Sequence, residues 1–468
     1  FRSLRMTGKH NPRASLTRDD GFLRLDKGLI QLGSEFEFVR FLTQSTFAQL
    51  LVVTRIPSPA SSPLSPGSRS HKRSRGSNQC GSDSEREKKR KKFEEPGRQR
   101  ERFKGENGKI LTKRSRESGG GGKEDSREKA VAGKKGYVLK IFNKQFEHVG
   151  IQESTYLRQA RLSDSCNVSG IVRWEKAFRI AGHVCIAMEL LGPSLSSRIT
   201  EKGPFSLPEI RSFACDILGS LVFLHETLGL IHADLKPENI CTAVNKDISL
   251  GTKEKVKLID FGNGIPRKDT AIYYDNFEVQ TFAYRAPEVL FGLEFESSID
   301  LWGLGCTLAE LYTGKPLFSA DKAHQLLFAM LNILGEFPIQ IFEKGKFYGP
   351  LQFHLNRLYQ HHPQVKKLIP KSKEGRVGKL LRKLQSQRQE GKNSTEIRKT
   401  PEKLPKNNPA DHEDSGVQEF VRFLLTLLTY NPNDRLSARQ ALRHPFISRI
   451  FPFSLILNPP PREKGRVS

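Results

Sequence analysis

The chain has 468 residues and carries 77 Lys and Arg against 51 Asp and Glu, a formal charge of +26. With 36% hydrophobic residues it is too polar to be folded throughout. An ordered domain must share the length with segments that lack the apolar content to offset ordering entropy. The positive excess sits largely in those polar segments, which have few aromatic residues, so nucleic acid is not favoured as a partner. Cys80, Cys166, Cys185, Cys215, Cys241 and Cys306 form no CxxC pair. That argues against a metal knuckle or disulfide framework and suits a nuclear or cytoplasmic location. No apolar run is long enough to span a bilayer, and no secretory signal or internal repeat is evident.

Residues 1–36 read as a loose basic tail. From residue 37 β-prone residues take over: Phe38, Val39, Phe41 and Leu42, then Phe47, Leu50, Leu51, Val52 and Val53. The small polar break at residues 43–46 makes them two strands joined by a tight loop. Residues 57–136 collapse into Ser, Pro, Gly and charge, a disordered insert between the second and third strands. Within it, residues 88–92 (Lys-Lys-Arg-Lys-Lys) resemble a nuclear-import signal. Pattern resumes at residues 137–142, a short strand with Lys140 on the face opposite Leu139 and Ile141. Two more strands are expected at residues 171–178 and 183–189. Then the period turns helical, with Ile210, Phe213, Ile217, Leu218, Leu221 and Leu224 on one face. Ser206, Pro208 and Glu209 cap its start. Asp300 opens a second buried helix. Residues 361–416 are again basic, a second insert, and residues 451–468 are a tail.

The chemistry concentrates in residues 231–240, Ile-His-Ala-Asp-Leu-Lys-Pro-Glu-Asn-Ile. The carboxylate of Asp234, the amine of Lys236 and the amide of Asn239 fall within six residues. Phosphoryl transfer to a hydroxyl needs such a set: a group that orients the hydroxyl and accepts its proton, a cation, and a metal ligand. Residues 256–262, Val-Lys-Leu-Ile-Asp-Phe-Gly, read as a buried strand that delivers a second metal-binding carboxylate, Asp260.

With Met188-Glu189-Leu190-Leu191-Gly192 and Tyr284-Arg285-Ala286-Pro287-Glu288 added, the chain resembles the protein kinases, in particular the DYRK/HIPK branch of the CMGC group. The resemblance covers residues 37–56, 137–360 and 417–447. It implies an α+β, bilobal kinase fold with a β-rich N-lobe (37–56 and 137–191) and a mainly helical C-lobe (192–450). It implies ATP and Mg²⁺ as cofactors, and protein substrates modified on Ser or Thr, often before Pro. By the same resemblance Asp234 is the base, Lys236 stabilises charge, and Asn239 and Asp260 hold Mg²⁺. Lys140 holds the α/β-phosphates and pairs with Glu153, with Glu147 as runner-up. Leu42, Thr43, Ser45, Phe47, Ala48 and Leu50 cover the nucleotide, and Val138, Met188, Glu189, Leu191 and Cys241 surround its base. His232, Asp300 and a Glu288–Arg435 salt bridge brace the site.

Three departures stand out. Ala233 occupies a position where kinases usually carry Arg. Thr43, Ser45 and Ala48 replace the three glycines of the phosphate loop. Glu278 stands at the activation-loop tyrosine, where a pair with Arg285 would hold the segment open without phosphorylation. The glycine-free loop leaves a non-catalytic pseudokinase scaffold as the alternative. The intact set of proton, metal and phosphate-handling residues favours the enzyme.

Overall fold

The computed structural model describes residues 3–4, 17–25, 35–56, 135–244, 254–274, 279–361, 363–367, 369–396 and 410–448. All lie in one unit built from residues 1–56 and 133–468. Its N-terminal part is an antiparallel sheet of β1 (Phe36–Gln44), β2 (Ala48–Arg55), β3 (Gly136–Phe142), β4 (Trp174–Ile180) and β5 (His183–Glu189). The spatial order is β4, β5, β3, β2, β1, and a two-residue strand, Ser3–Leu4, runs parallel to β4 at the far edge.

Alternation along β3 gives the sheet two apolar faces. Tyr137, Leu139 and Ile141 join an outer cluster with Leu51, Val53, Phe178 and Cys185. Phe142, with Ile186 and Met188 of β5, joins the main core below, and Val138 packs against it. Because both faces are apolar, the strands read as nearly continuous hydrophobic runs.

An apolar outer face has to be covered, and residues 17–25 cover it. The loose tail expected for residues 1–36 is therefore corrected at this stretch. Leu23 is fully buried in the outer cluster. Asn143 Nδ2 donates to the Asp20 carbonyl (2.8 Å), Lys144 N donates to Gly21 O (3.1 Å), and Thr17 Oγ1 bonds His183 Nε2 (3.1 Å). Gly21 has φ +83°, and a Cβ there would lie 2.3 Å from Asn143 Oδ1. Only glycine fits both the left-handed backbone and the close approach. Three apolar residues among charges gave too short a pattern to read as an element.

Below the sheet, α1 (Glu147–Ser163) crosses towards the helical part. There α2 (Leu207–Val222) starts where Ser206 N donates to Glu209 Oε2 (2.8 Å). It buries Ile210, Phe213, Ile217, Leu218 and Leu221, the expected face. The hub is α3 (Ser298–Thr313), which is buried along almost its whole length. Its Trp302 stacks on Phe318 at 5.9 Å.

The second insert also needs correction. Within residues 361–416, α4 (Lys373–Glu396) is a long helix, and α5 begins within the insert (Ala410–Leu427). Leu380 and Leu384 are fully buried, and each such burial stabilises by about 1.5–3 kcal/mol. Arg388 donates to Phe205 O (2.9 Å), with its guanidinium 4.2 Å from the Tyr312 ring centre. The apolar period was there in the sequence, but the density of Lys and Arg hid it. The first insert, residues 57–136, lies outside the described residues except at its end, where Lys135 precedes β3 and Gly136 is already its first residue. Residues 451–468 also lie outside.

Candidate active site

The cleft between the sheet and the helices is built on Asp300, in the first turn of α3. Its carboxylate accepts from His232 N (2.8 Å), Ala233 N (2.9 Å) and His225 Nε2 (2.8 Å). Burial pushes this carboxyl up, but the His225 bond and the other donors outweigh it and hold it below the ordinary range. Ala233 sits at φ +61°, a left-handed conformation that costs about 1 kcal/mol or more for a residue with a Cβ. The two bonds from Asp300 clamp that backbone. His232 closes the other side. Its Nε2 donates to Ile259 O (3.1 Å) and its Nδ1 accepts from Asp234 N (3.3 Å), which fixes the Nε2–H tautomer.

So held, Asp234 faces the cleft and is buried. Its Oδ1 accepts from Thr281 Oγ1 (2.6 Å). Its Oδ2 accepts from Lys236 Nζ (2.9 Å) and Asn239 Nδ2 (3.2 Å). Lys236 Nζ also donates to Thr281 Oγ1 (2.7 Å). A carboxylate, a cation and a hydroxyl thus form a closed triangle. Asn239 Nδ2 donates to the Asp234 carbonyl as well (2.8 Å). With its amine committed on that side, the amide oxygen is left as the group for a metal.

Lys140 bridges sheet and helices. Its Nζ donates to Glu153 Oε2 (2.8 Å) on α1 and to Asp260 Oδ1 (2.9 Å). Burial lowers the Lys140 ammonium, but Asp260 and Glu153 outweigh it and hold it above its ordinary value. Burial raises Asp260, yet Lys140 outweighs burial and keeps its carboxyl low. Glu153 is fully buried with its Oε1 unpartnered among the described residues, and burial pushes it up against the opposing charge of Lys140. Glu147, the other candidate partner, is ion-paired with Arg179 instead. Asp260 has φ +63°. At Gly262 a Cβ would come within 3.1 Å of Val149 Cγ1, so α1 can pack closely on this turn.

The sheet forms the roof. Cross-strand pairing sets Leu50 opposite Lys140 and Thr43 opposite Leu50, while Val138 stands opposite Met188. Cys241 lies buried in β6 (Ile240–Thr242), which pairs with β7 (Val256–Leu258). Leu191 follows β5 and packs against the core. The Glu189 side chain is engaged away from the cleft, accepting from Lys257 Nζ (2.6 Å) and Arg173 N (2.7 Å). The β1–β2 turn is small. Ser45 Oγ accepts from Phe47 N (3.3 Å) and Ala48 N (3.2 Å). Ala48 belongs to the core, Leu42 is partly exposed, and Phe47 turns to Phe146 at the foot of α1, ring centres 4.8 Å apart.

Arg435 donates two hydrogen bonds to the Glu288 carboxylate (2.7 and 3.0 Å) in a fully buried salt bridge. Arg285 donates to the Gln280 carbonyl (2.9 Å). Glu278 lies outside the described residues, so its pair with Arg285 is not among the contacts here. Sequence reasoning passed over Gln280, Thr281 and His225. None belongs to a charged motif, and each acquires its place only when the segment before residue 285, or the turn after α2, folds against α3.

A β-sheet lobe over a helical lobe, with a Lys–Glu pair above and an Asp–Lys–Asn loop below, defines a phosphotransferase architecture. Residues 118–447 match the protein kinase domain, and the chain belongs to the protein kinase family. The chain is 32% identical over 295 residues to serine/threonine-protein kinase AFC3 of Arabidopsis thaliana, covering 59% of this chain and 66% of that protein. It is 30% identical over 323 residues to dual specificity tyrosine-phosphorylation-regulated kinase 3 of Mus musculus, covering 69% and 50%. Dual specificity protein kinase YAK1 of Saccharomyces cerevisiae matches at 30% over 306 residues, 61% and 35%. The chain thus spans between about a third and two thirds of these relatives' lengths. The matches agree with the DYRK-like motifs read from the sequence. No helix among the described residues is long and apolar enough to cross a membrane.

Proposed function

We propose that this chain is an ATP-dependent serine/threonine protein kinase, active and directed to hydroxyls that precede proline. The observation that carries it is the Asp234–Lys236–Thr281 triangle facing Lys140, Glu153 and Asp260 across one cleft. Asp234 orients the acceptor hydroxyl and takes its proton. Lys236, 2.9 Å away, balances the negative charge of the moving phosphoryl group. Lys140, kept cationic by its two carboxylates, holds the phosphates on the leaving side. The Asp260 carboxylate and the Asn239 amide oxygen are hard oxygen donors and few in number, which suits Mg²⁺, an ion that takes its remaining ligands from water and phosphate. Bound there, Mg²⁺ would neutralise phosphate charge. Nuclear residence is supported by residues 88–92 alone, which lie outside the described residues.

The proline preference is supported by Gln280. At φ +64° its carbonyl turns to Arg285 (2.9 Å), one residue before the Thr281 that touches Asp234. A substrate N–H arriving beside it finds that acceptor already taken. Proline has no N–H and loses nothing. The scaffold alternative has one observation in its favour: a phosphate-side turn with a Cβ at every position. The deciding experiment is radiolabel transfer from ATP to matched Ser-Pro and Ser-Ala peptides, by the parent and by Asp234→Asn. The expected result is transfer to Ser-Pro in preference, falling roughly 10²–10⁴-fold in Asp234→Asn with ATP binding kept. Equal transfer by both proteins would end the enzyme reading, and equal use of both peptides would end the proline preference.

A further inference from the structure

The outer face of the sheet, away from the nucleotide side, holds a pocket of about 520 Å³, within the size range of small-molecule sites. Two irregularities in β1 create it. Phe38 and Phe41 are three residues apart and would face opposite ways in a regular strand. A register shift after Phe38 sets them opposite Val53 and Leu51, both outer-face residues. A second shift after Phe41 brings Gln44 opposite Gln49 on the same face. Each shift inserts one extra residue in β1 and spares the alternation of β2.

The pocket's chemistry is mixed in a directional way. Phe38, Phe41 and Leu25 form apolar walls, and Phe41 is 46% exposed. Arg18 and Arg24 line it from the segment that covers the sheet. Arg18 is ion-paired with Asp20, whereas Arg24 is exposed to solvent. At the other end Gln49 is 2% exposed, and its Nε2 donates to Gln44 Oε1 (3.3 Å). Its Oε1 has no partner among the described residues. A buried acceptor without a donor costs about 1–3 kcal/mol, and such groups are rare enough to need a reason.

We propose that this pocket is a binding site, separate from the nucleotide cleft, for a small amphipathic organic acid. The ligand has an aromatic body against Phe38, Phe41 and Leu25, a carboxylate for Arg24, and an N–H or O–H donor for Gln49 Oε1. The site does not depend on the kinase reading. Its position matters to it, because Gln44 and Gln49 flank the β1–β2 turn.

Three matched probes test it by calorimetry or saturation-transfer NMR on the full chain, with the nucleotide cleft filled by a non-hydrolysable ATP analogue and Mg²⁺. Indole-3-propionate has the arene, the acid and the N–H. Naphthalene-2-propionate lacks the N–H, and tryptamine lacks the acid. The expected order is saturable binding of the indole acid, roughly tenfold weaker binding of the naphthalene acid through loss of the bond to a buried acceptor, and none of tryptamine. Arg24→Glu, at an exposed position, removes binding of both acids without moving the unfolding midpoint. Gln49→Leu abolishes the difference between them. No saturable binding of the indole acid at millimolar concentration overturns the proposal. So does equal affinity for the two acids, or binding that survives Arg24→Glu. Should the ATP analogue fail to bind, the kinase reading is at fault, and Arg24→Glu still separates this pocket from the cleft.

Discussion

The two loops that would close on the phosphates are held in opposite ways. Residues 231–240 are buried almost throughout, clamped from outside by Asp300 and Ile259 and tied within the loop by Asn239 to the Asp234 carbonyl. The β1–β2 turn is exposed and is held at fewer points: Ser45 N donates to Ala48 O (2.9 Å), Asn143 N donates to Phe47 O (2.8 Å), the Ser45 hydroxyl accepts from two turn amides, and Phe47 meets Phe146. The first can therefore hold a left-handed alanine at position 233, because its surroundings over-determine the backbone. The second is tied by those few bonds and has no buried carboxylate clamping its backbone. With Thr43, Ser45 and Ala48 in place of glycines it adopts an ordinary tight hairpin turn. Catalytic geometry needs fixed atoms, whereas a cover over a substrate that enters and leaves needs only a weak latch.

Removing the clamp should give the largest effect. Asp300→Ala deletes a buried acceptor of three donors and leaves His225, His232 N and Ala233 N unpaired. A loss of about 3–5 kcal/mol is expected in denaturant unfolding, together with loss of transfer in whatever fraction stays folded. A loss below about 1 kcal/mol would mean that the loop is held by something else.

The far end of the same helix sharpens the contrast. Glu310 accepts the Tyr284 hydroxyl (2.5 Å). Burial pushes its carboxyl up to about 7, against the Tyr284 bond. Asp300 is shifted the other way by its donors. With the folded value above the unfolded one near 4.5, the Glu310 contribution is fully present below about pH 4.5 and is lost as pH rises through about 7. Glu310→Gln should match the parent near pH 4.5 and exceed it above pH 7, by up to about 3 kcal/mol. Thermal unfolding across that range reads the difference directly, and parallel curves would refute it.

The smallest effect belongs to the latch. Phe146→Ala removes the ring against Phe47, a contact worth about 0.5–1.5 kcal/mol. The KM for ATP should rise by a few-fold, up to about tenfold, with global stability nearly unchanged. An unaltered KM would mean that the turn does not touch the nucleotide, or that Phe47 finds another partner.

The sequence by itself determined the candidate catalytic groups and most of the frame. Asp234, Lys236, Asn239 and Asp260 were legible because their spacing is local: one short loop and one strand end carry them. The Lys140–Glu153 and Glu288–Arg435 pairs came from family resemblance, and the fold brings both together at hydrogen-bond distance. Helix α2 was legible because its apolar period is long and its start is capped. Only tertiary structure decided the rest. Thr281 and Gln280 are ordinary polar residues until the chain folds them against Asp234 and α3. Residues 17–25 and α4 each hide a few apolar residues among charges, and their burial depends on surfaces made by distant strands and helices. Phe38, Phe41, Gln44 and Gln49 share one face only because β1 is irregular, and a strand's register is settled by its neighbour.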